Sequence, residues 1–171
     1  MEHSTPERHR EQHGLSAVSA ALNRVRAVIE FDLHGIVLHA NDNFLKALGY
    51  RLDEVRSQHQ KMFCEAAYVD SLAYRQFREK LGRGEFDQGE YLRMGRGGRE
   101  VWINASYNPV FDSDGKPYKV IKFATDITAA RKQNAEYEGK VRAIDRALAR
   151  IEFDPSGNVL FANQNFLDTP G

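Results

Sequence analysis

The feature that most constrains this chain is a repeat. Ile29-Glu30-Phe31-Asp32 returns as Ile151-Glu152-Phe153-Asp154, an offset of 122 residues. At the same offset Gly35 matches Gly157, Val37-Leu38 matches Val159-Leu160, Ala40-Asn41 matches Ala162-Asn163, and Asn43-Phe44-Leu45 matches Asn165-Phe166-Leu167. Aligned without gaps, 22–49 and 144–171 are identical at 15 of 28 positions, which a mixed composition does not give by chance. Self-similarity of this kind is read before local structure, because it sets the unit that has to fold. The chain holds one complete unit, roughly 15–127, and the opening of a second copy. An opening of about two dozen residues cannot bury a core, so the parent protein is expected to continue past Gly171.

Composition narrows the class. Charge is balanced, with 24 Lys+Arg against 24 Asp+Glu. A protein that grips nucleic acid or an anionic membrane by bulk charge would not look like this. With 42% hydrophobic and 11% aromatic residues, there is enough apolar material for a core, and wholesale disorder is excluded. The single cysteine, Cys64, cannot pair within the chain and points to a reducing compartment. No apolar run approaches the roughly 18 residues that span a bilayer. The opening MEHSTPERHREQHG lacks the apolar stretch of a signal peptide. The expectations are a cytoplasmic protein with no nucleic-acid partner and no direct membrane insertion.

Residues 1–14 read as a flexible tail. Leu15, Val18, Leu22, Val25 and Ile29 keep 3–4 spacing, predicting an amphipathic helix over 15–26. A strand, the His34-Gly35 turn and the run IVLHA then form a hairpin. Asn41 or Asp42 can cap a short helix carrying Phe44, Leu45 and Leu48, with Gly49 placed to stop it. Leu52 to Asp70 shows no sustained period and reads as short helical turns. Leu72 to Leu81 reads as a helix ended by Gly82 and Gly84. Three strand-like runs follow, Phe86–Met94, Glu100–Val110 and Tyr118–Asp126, joined at Arg96-Gly97-Gly98-Arg99 and Asp112-Ser113-Asp114-Gly115. In the middle run Val101, Ile103, Ala105 and Tyr107 share one face and Trp102 takes the other, so both faces of the sheet need a cover. Beyond it Ile127, Ala130, Asn134, Tyr137, Val141, Ile144, Leu148 and Ile151 keep heptad spacing, predicting a linker helix over 128–148 that pairs with a partner helix. Residues 149–171 are the truncated second copy.

Few residues suggest chemistry. His9 and His13 stand at helical i, i+4 spacing without a third ligand, and read as tail. Asp112-Ser113-Asp114-Gly115 resembles the start of a calcium loop, but the twelfth position, Phe123, is not acidic, leaving a hairpin turn. There is no G-x-S-x-G and no phosphate loop, and Arg96-Gly97-Gly98-Arg99 joins two strands without opening a helix. Cys64 lies among Met62, Phe63, Ala66 and Ala67, apolar neighbours that predict a buried, inert thiol. The chain is not expected to be an enzyme.

The order of elements, together with Gly35-Ile36-Val37, Ala40-Asn41-Asp42-Asn43-Phe44, Leu48-Gly49-Tyr50, Asp53-Glu54-Val55, Gly98-Arg99-Glu100-Val101-Trp102, Asn108-Pro109-Val110, Asp114-Gly115-Lys116 and Asp126-Ile127-Thr128, resembles a PAS domain over about 110 residues, with 27–127 as the domain proper. The nearest subgroup is the tandem PAS modules of cytoplasmic methyl-accepting chemotaxis and aerotaxis transducers. The resemblance implies an α+β fold: a five-stranded antiparallel sheet with short helices on one face, flanked by the N-terminal and linker helices. It implies a sensory module that dimerises and signals through helices to a downstream output domain of the same chain. A PAS module of a histidine kinase or diguanylate cyclase is the alternative setting, and a flavin- or haem-carrying redox sensor or enzyme fragment is the rival.

Ligand-pocket candidates between the helices and the inner sheet face are Phe44, Phe63, Tyr68, Phe77, Trp102, Ile103, Ile121 and Phe123. Asp126 and Thr128, matching the family's Asp-x-Thr exit motif, are the expected signal relay. The cofactor is left open between none, an unidentified small molecule, FAD and haem. Against FAD, Arg78 stands where flavin-binding relatives carry Trp, Ser57-Gln58-His59-Gln60 replaces a Gly-x-Pro-His stretch, and Cys64-Glu65-Ala66-Ala67 replaces Arg-His-Pro-Asp. The cysteine motif of light-sensing relatives is absent around Cys64. Haem would need His39 or His59 as an axial ligand. The truncated hairpin near 149–161 is expected to pair with a neighbouring sheet or to swap between two chains.

Overall fold

Residues 17–168 are described by the structure, a computed structural model. The predicted tail, including His9 and His13, and the last three residues lie outside the described residues. Two units are present, one extending to Thr128 and one beginning at Ala129.

In the first unit helix α1 covers 17–25. Strands β1 (Ala27–Asp32) and β2 (Val37–Ala40) form the predicted hairpin, with a bulge between Glu30 and Phe31. Helix α2 (Asp42–Leu48) follows. Asn41 caps it by accepting a hydrogen bond from the Phe44 N–H, and Gly49 ends it at φ +78°, a left-handed turn that glycine reaches without Cβ strain. The aperiodic stretch resolves into α3 (Leu52–Val55), a 3₁₀ turn (Gln60–Phe63) and α4 (Ala66–Val69). Helix α5 (Leu72–Gly82) starts on the Ser71 hydroxyl. The meander is β3 (Asp87–Met94), β4 (Glu100–Phe111) and β5 (Pro117–Asp126).

The sheet is antiparallel with order β2-β1-β5-β4-β3. The first hairpin therefore returns to pair with the last strand, Ile29 opposite Lys122 and Phe31 opposite Val120. This long-range pairing closes the unit. Helices α2, α3 and α5 and the 3₁₀ turn lay Phe44, Leu48, Val55, Phe63, Phe77 and Leu81 on one face, all buried. The expected α+β architecture, five antiparallel strands with short helices on one side, is what the chain adopts.

Helix α6 (Thr128–Ala147) starts on the last residue of the first unit, and the second unit holds the rest of it with β6 (Ile151–Phe153), β7 (Val159–Ala162) and α7 (Gln164–Leu167). Strands β6 and β7 pair as a hairpin with a bulge between Glu152 and Phe153, at the position equivalent to the first. No side chain of α6 is buried. Among the described residues, no helix is long and apolar enough to cross a membrane.

Candidate functional site

Strand alternation decides what the core sees. On β4 the inner face carries Val101, Ile103, Ala105 and Tyr107, as predicted. On β5 the inward residues are Val120, Lys122 and Ala124, and on the edge strand they include Tyr91 and Arg93, opposite Ile103 and Val101. Two cations thus project into a face otherwise built of apolar and aromatic groups.

Their surroundings are specific. Arg93 is 4% exposed; its Nη2 donates to the Tyr107 hydroxyl at 2.7 Å and its Nη1 to the Leu92 carbonyl at 2.7 Å. Its guanidinium lies 4.9 Å from the Tyr91 ring centroid. Lys122 is 2% exposed, with Nζ 4.9 Å from the Tyr107 ring centroid and 5.7 Å from that of Phe44. Ring faces attract a cation by their quadrupole, but they replace little of its lost hydration. Burial, and then the Arg93 charge, push the Lys122 ammonium well below the ordinary lysine range. Burial also pushes the Tyr107 phenol up to about 12. The Tyr91 hydroxyl donates to Asp87, which also takes a 2.7 Å ion pair from Lys80. Around the cations the rings pack edge to face, Phe77 to Tyr107 at 4.8 Å and Phe44 to Phe63 at 5.3 Å. The Gln60 Nε2 and the Tyr74 hydroxyl are buried with no hydrogen-bond partner.

Among the pocket candidates, Phe44, Phe63, Phe77 and Ile103 stand in this core, and Tyr68 packs half-buried against it. Trp102, Ile121 and Phe123 do not. They lie on the opposite face of the sheet, because β4 and β5 turn alternate residues outward, and Lys122 takes the inward position between Ile121 and Phe123. That outer face has its own hollows beside α1. One of about 610 Å³ is lined by Leu22, Arg26, Asn104 and Phe123, and one of about 250 Å³ by Val18, Val28, His39 and Ile121. A third, of about 350 Å³, opens at the β3 edge and is bounded by Glu65, Tyr68, Tyr91, Arg93 and Trp102. Sequence reasoning missed Arg93 and Lys122. No local pattern marks them: the phase of β5 is set by its pairing, which puts Ala124 opposite Ala105 and Lys122 opposite Tyr107.

The remaining candidates are placed as follows. Cys64 is half-buried rather than buried, with Sγ 3.9 Å from the Gln60 carbonyl. His39 faces the outer hollow, and the His59 Nδ1 accepts the Lys61 N–H at 3.0 Å, capping the 3₁₀ turn. Burial, and then the nearby Arg78 charge, hold His59 below the ordinary histidine range. His39 is exposed on the outer face and the His59 Nδ1 is taken by the Lys61 N–H, so the residues do not fit an axial haem ligand in the core. Arg78, in the tryptophan place of flavin-binding relatives, donates its Nη2 to the Leu33 carbonyl at the rim and offers no ring to an isoalloxazine. At the exit, the Asp126 carboxylate accepts the Thr128 N–H at 2.9 Å, and the Thr128 hydroxyl accepts the Trp102 N–H at 2.9 Å. Thr128, the last residue of the first unit, is thereby bonded to β4.

A pair of asparagines ties each hairpin to the helix before it. The Asn41 Oδ1 accepts the N–H groups of Val28 and Phe44, while its Nδ2 and that of Asn43 donate to the Asn23 and Arg26 carbonyls at the end of α1. Asn163 and Asn165 repeat this on Asp145 and Leu148 at the end of α6.

Comparison with known proteins accords with this architecture. The biofilm dispersion protein BdlA of Pseudomonas aeruginosa is 48% identical over 152 residues, covering 89% of this chain and 36% of that protein. The oxygen sensor protein DosP of Escherichia coli (strain K12) is 26% identical over 118 residues, 69% of this chain and 15% of DosP. The chain thus spans little more than a third of the first relative and far less of the second. The PAS domain of a protein from Colwellia psychrerythraea superposes with a TM-score of 0.59 at 19% identity, covering 67% of this chain and 98% of that one. The PAS fold model matches residues 37–124, more than half of the chain. The family model spans β2, the helical cover, β3, β4 and most of β5, and the chain belongs to the PAS fold family as a sensory module of a signalling protein.

Proposed function

We propose that this chain is the sensory and dimerisation module of a chemotaxis-type transducer, and that it relays a change in the sheet core through α6 to an output domain further along the parent protein. The similarity to the biofilm dispersion protein supports that setting. The observation that carries the relay is the junction at Asp126 and Thr128. A shift of β4 moves the Trp102 N–H, which donates to the Thr128 hydroxyl, and the Asp126 carboxylate accepts the N–H of the same Thr128. A cap is worth about 1 kcal/mol. That is small against folding but comparable to the bias of a two-state helix. Residues 149–171 are, in this reading, the start of a second PAS repeat, whose asparagines hold the far end of α6.

Dimerisation has the support of unpartnered apolar surface. Val18 and Val25 on α1, and Tyr137, Ile144 and Leu148 toward the end of the linker stripe, are all more than 44% exposed. Burying such side chains contributes roughly 1.5–3 kcal/mol each, so a second copy gains by covering them. Light scattering at micromolar concentration is expected to give twice the mass of the chain, and the mass of a single chain would count against the dimer. The relay is tested by Asp126→Ala in the full-length parent: the protein stays folded by circular dichroism and its signalling output changes. Unchanged output overturns the relay.

A further inference from the structure

The core of the first unit holds cations and donors without an anion to match them. Its buried polar side chains are Gln60, Arg93 and Lys122; none is acidic. Burying a charge without a counter-charge is costly, and in folded proteins such groups are paired, neutralised or ligated. The two groups that accept from Arg93, the Tyr107 hydroxyl and the Leu92 carbonyl, are neutral. Lys122 lies against the ring faces of Tyr107 and Phe44. Beside them the Gln60 Nε2 and the Tyr74 hydroxyl face each other and have no further partner.

These groups form one cluster. Arg93 and Lys122 share Tyr107, Phe77 lies between Tyr107 and Tyr74 at 4.8 and 6.3 Å, and the Cys64 Sγ stands 3.9 Å from the Gln60 carbonyl. An approach exists as well. The hollow of about 350 Å³ at the β3 edge ends on Tyr68, Tyr91 and Arg93, a volume suited to a small ligand. Glu65 and Glu90 flank it and repel a polyanion more than a single charge. Short elements roof the cluster: the 3₁₀ turn and α4 have four residues each, and few hydrogen bonds have to break to let them part.

We propose that the core is a receptor for a small monoanion, a carboxylate or an inorganic oxyanion, held by Lys122, Gln60 and Tyr74 in the field of Arg93. This rests on the reading of the unit as a sensory module and names the ligand chemistry of its core. Binding would place a negative charge where β5, β4 and the helical roof meet, two residues of β5 away from Ala124 and four from Asp126, so occupancy and exit share one strand.

The test is thermal unfolding of the purified chain at pH 7 in sodium acetate, benzoate, nitrate or dihydrogen phosphate, against chloride at equal ionic strength. At least one anion is expected to raise Tm by about 5 °C at saturation. A response to acetate or benzoate alone assigns a carboxylate, and one to nitrate or phosphate alone assigns an oxyanion. Lys122→Met, which replaces a buried amine by an apolar side chain of similar length, should fold and lose the response. Because that variant could fail to fold, the wild-type protein is also labelled with ¹⁵N at the lysine Nζ, and the shielded lysine resonance is expected to shift with the same saturation curve. No rise over chloride with any anion overturns the proposal, and so does a rise retained in Lys122→Met or a lysine resonance that stays fixed. The sensory reading is decided separately, by the output of Asp126→Ala, and survives such a failure.

Discussion

The opening 22–49 and its copy 144–171 share 15 of 28 residues, and where described they take the same local shape with different burial. Both hairpins bulge at the same place, both turns use glycine at φ near +88°, and both asparagine caps sit within a few degrees of each other. Yet Ile29, Phe31 and Phe44 are nearly inaccessible, whereas Phe153 is 55% and Phe166 is 39% exposed. Local sequence therefore suffices for hairpin, turn and cap. Burial in the first opening comes from β5, β4 and the helical cover laid against it. The second opening takes the same local shape with Phe153, Leu160 and Phe161 exposed.

The largest effect that separates the two openings is the loss of a core ring. Phe31→Ala should destabilise the first unit by about 3–5 kcal/mol, the range for large-to-small changes at buried aromatics. Phe153→Ala should change its stability by less than about 0.5 kcal/mol, as surface substitutions do. Urea titration followed by Trp102 fluorescence reads the first unit in both variants. A cost above about 2 kcal/mol at Phe153 would break the contrast and show that the second hairpin is buried in solution, against a partner or by exchange between chains.

Next in size is the asparagine clamp. Asn41→Ala removes a cap worth about 1 kcal/mol and leaves the Val28 N–H without its acceptor, a further 1–3 kcal/mol or so. Asn163→Ala makes the same deletions, and its neighbours Asp145 and Leu148 lie within the second unit. Thus Asn41→Ala should lower the midpoint of the first unit clearly, while Asn163→Ala should leave it in place and speed amide exchange at Arg150 and Phe166. Equal midpoint shifts in the two variants would mean that the units melt as one.

Most of the frame was legible in the sequence because each element signals locally. Asn41 and Gly49 bracket α2, Gly97-Gly98 and Asp112–Gly115 close the meander turns, and the alternation of β4 fixes which of its faces is inner. The phase of β5 was not legible in the same way. Ile121 and Phe123 are more apolar than Lys122, so hydrophobicity favours turning them inward. The pairing of β5 with both β4 and β1 sets the opposite phase, since a one-residue slip would turn every side chain over. Ala105 meets Ala124 and Tyr107 meets Lys122, and the displaced Ile121 and Phe123 find cover under α1. Three pocket candidates thereby moved to the outer face, and two cations that no local pattern marks entered the core.

That inversion has a pH signature belonging to the first unit alone. The folded-state pKa of Lys122 lies below its unfolded value of about 10.4. Between those two values the unfolded chain binds the extra proton, so stability rises with pH, by at most about 1.4 kcal/mol per unit. As pH falls toward the folded pKa, that contribution is lost. Of the groups facing Lys122, Arg93 stays charged and Tyr107, pushed up to about 12, keeps its proton below pH 9, which leaves Cys64 to be controlled by Cys64→Ser. Between pH 7 and 9 the wild-type unit should gain stability that Lys122→Met does not. Parallel pH profiles in the two proteins would show that Lys122 is solvated.

The smallest difference concerns the two hairpin glycines. Gly35 and Gly157 have φ of +87° and +89°, where an L side chain costs roughly 1 kcal/mol. Backbone strain is thus equal in Gly35→Ala and Gly157→Ala. Space is not. A Cβ at Gly35 would stand 3.0 Å from the His59 Cε1 and 3.1 Å from the Arg78 Nη2, while at Gly157 it meets nothing within 4 Å. His59 caps the 3₁₀ turn through Lys61 and Arg78 reaches the Leu33 carbonyl, so neither can retreat without giving up a hydrogen bond worth about 1 kcal/mol. Gly35→Ala should therefore cost about 2 kcal/mol in the first unit and loosen the Gln60–Phe63 roof, visible as faster exchange at the Lys61 amide. Gly157→Ala should fray only β6 and β7. If Gly35→Ala cost no more than the strain itself, with Lys61 exchange unchanged, the roof would be independent of the hairpin, and the first opening would differ from its copy only by the sheet laid against it.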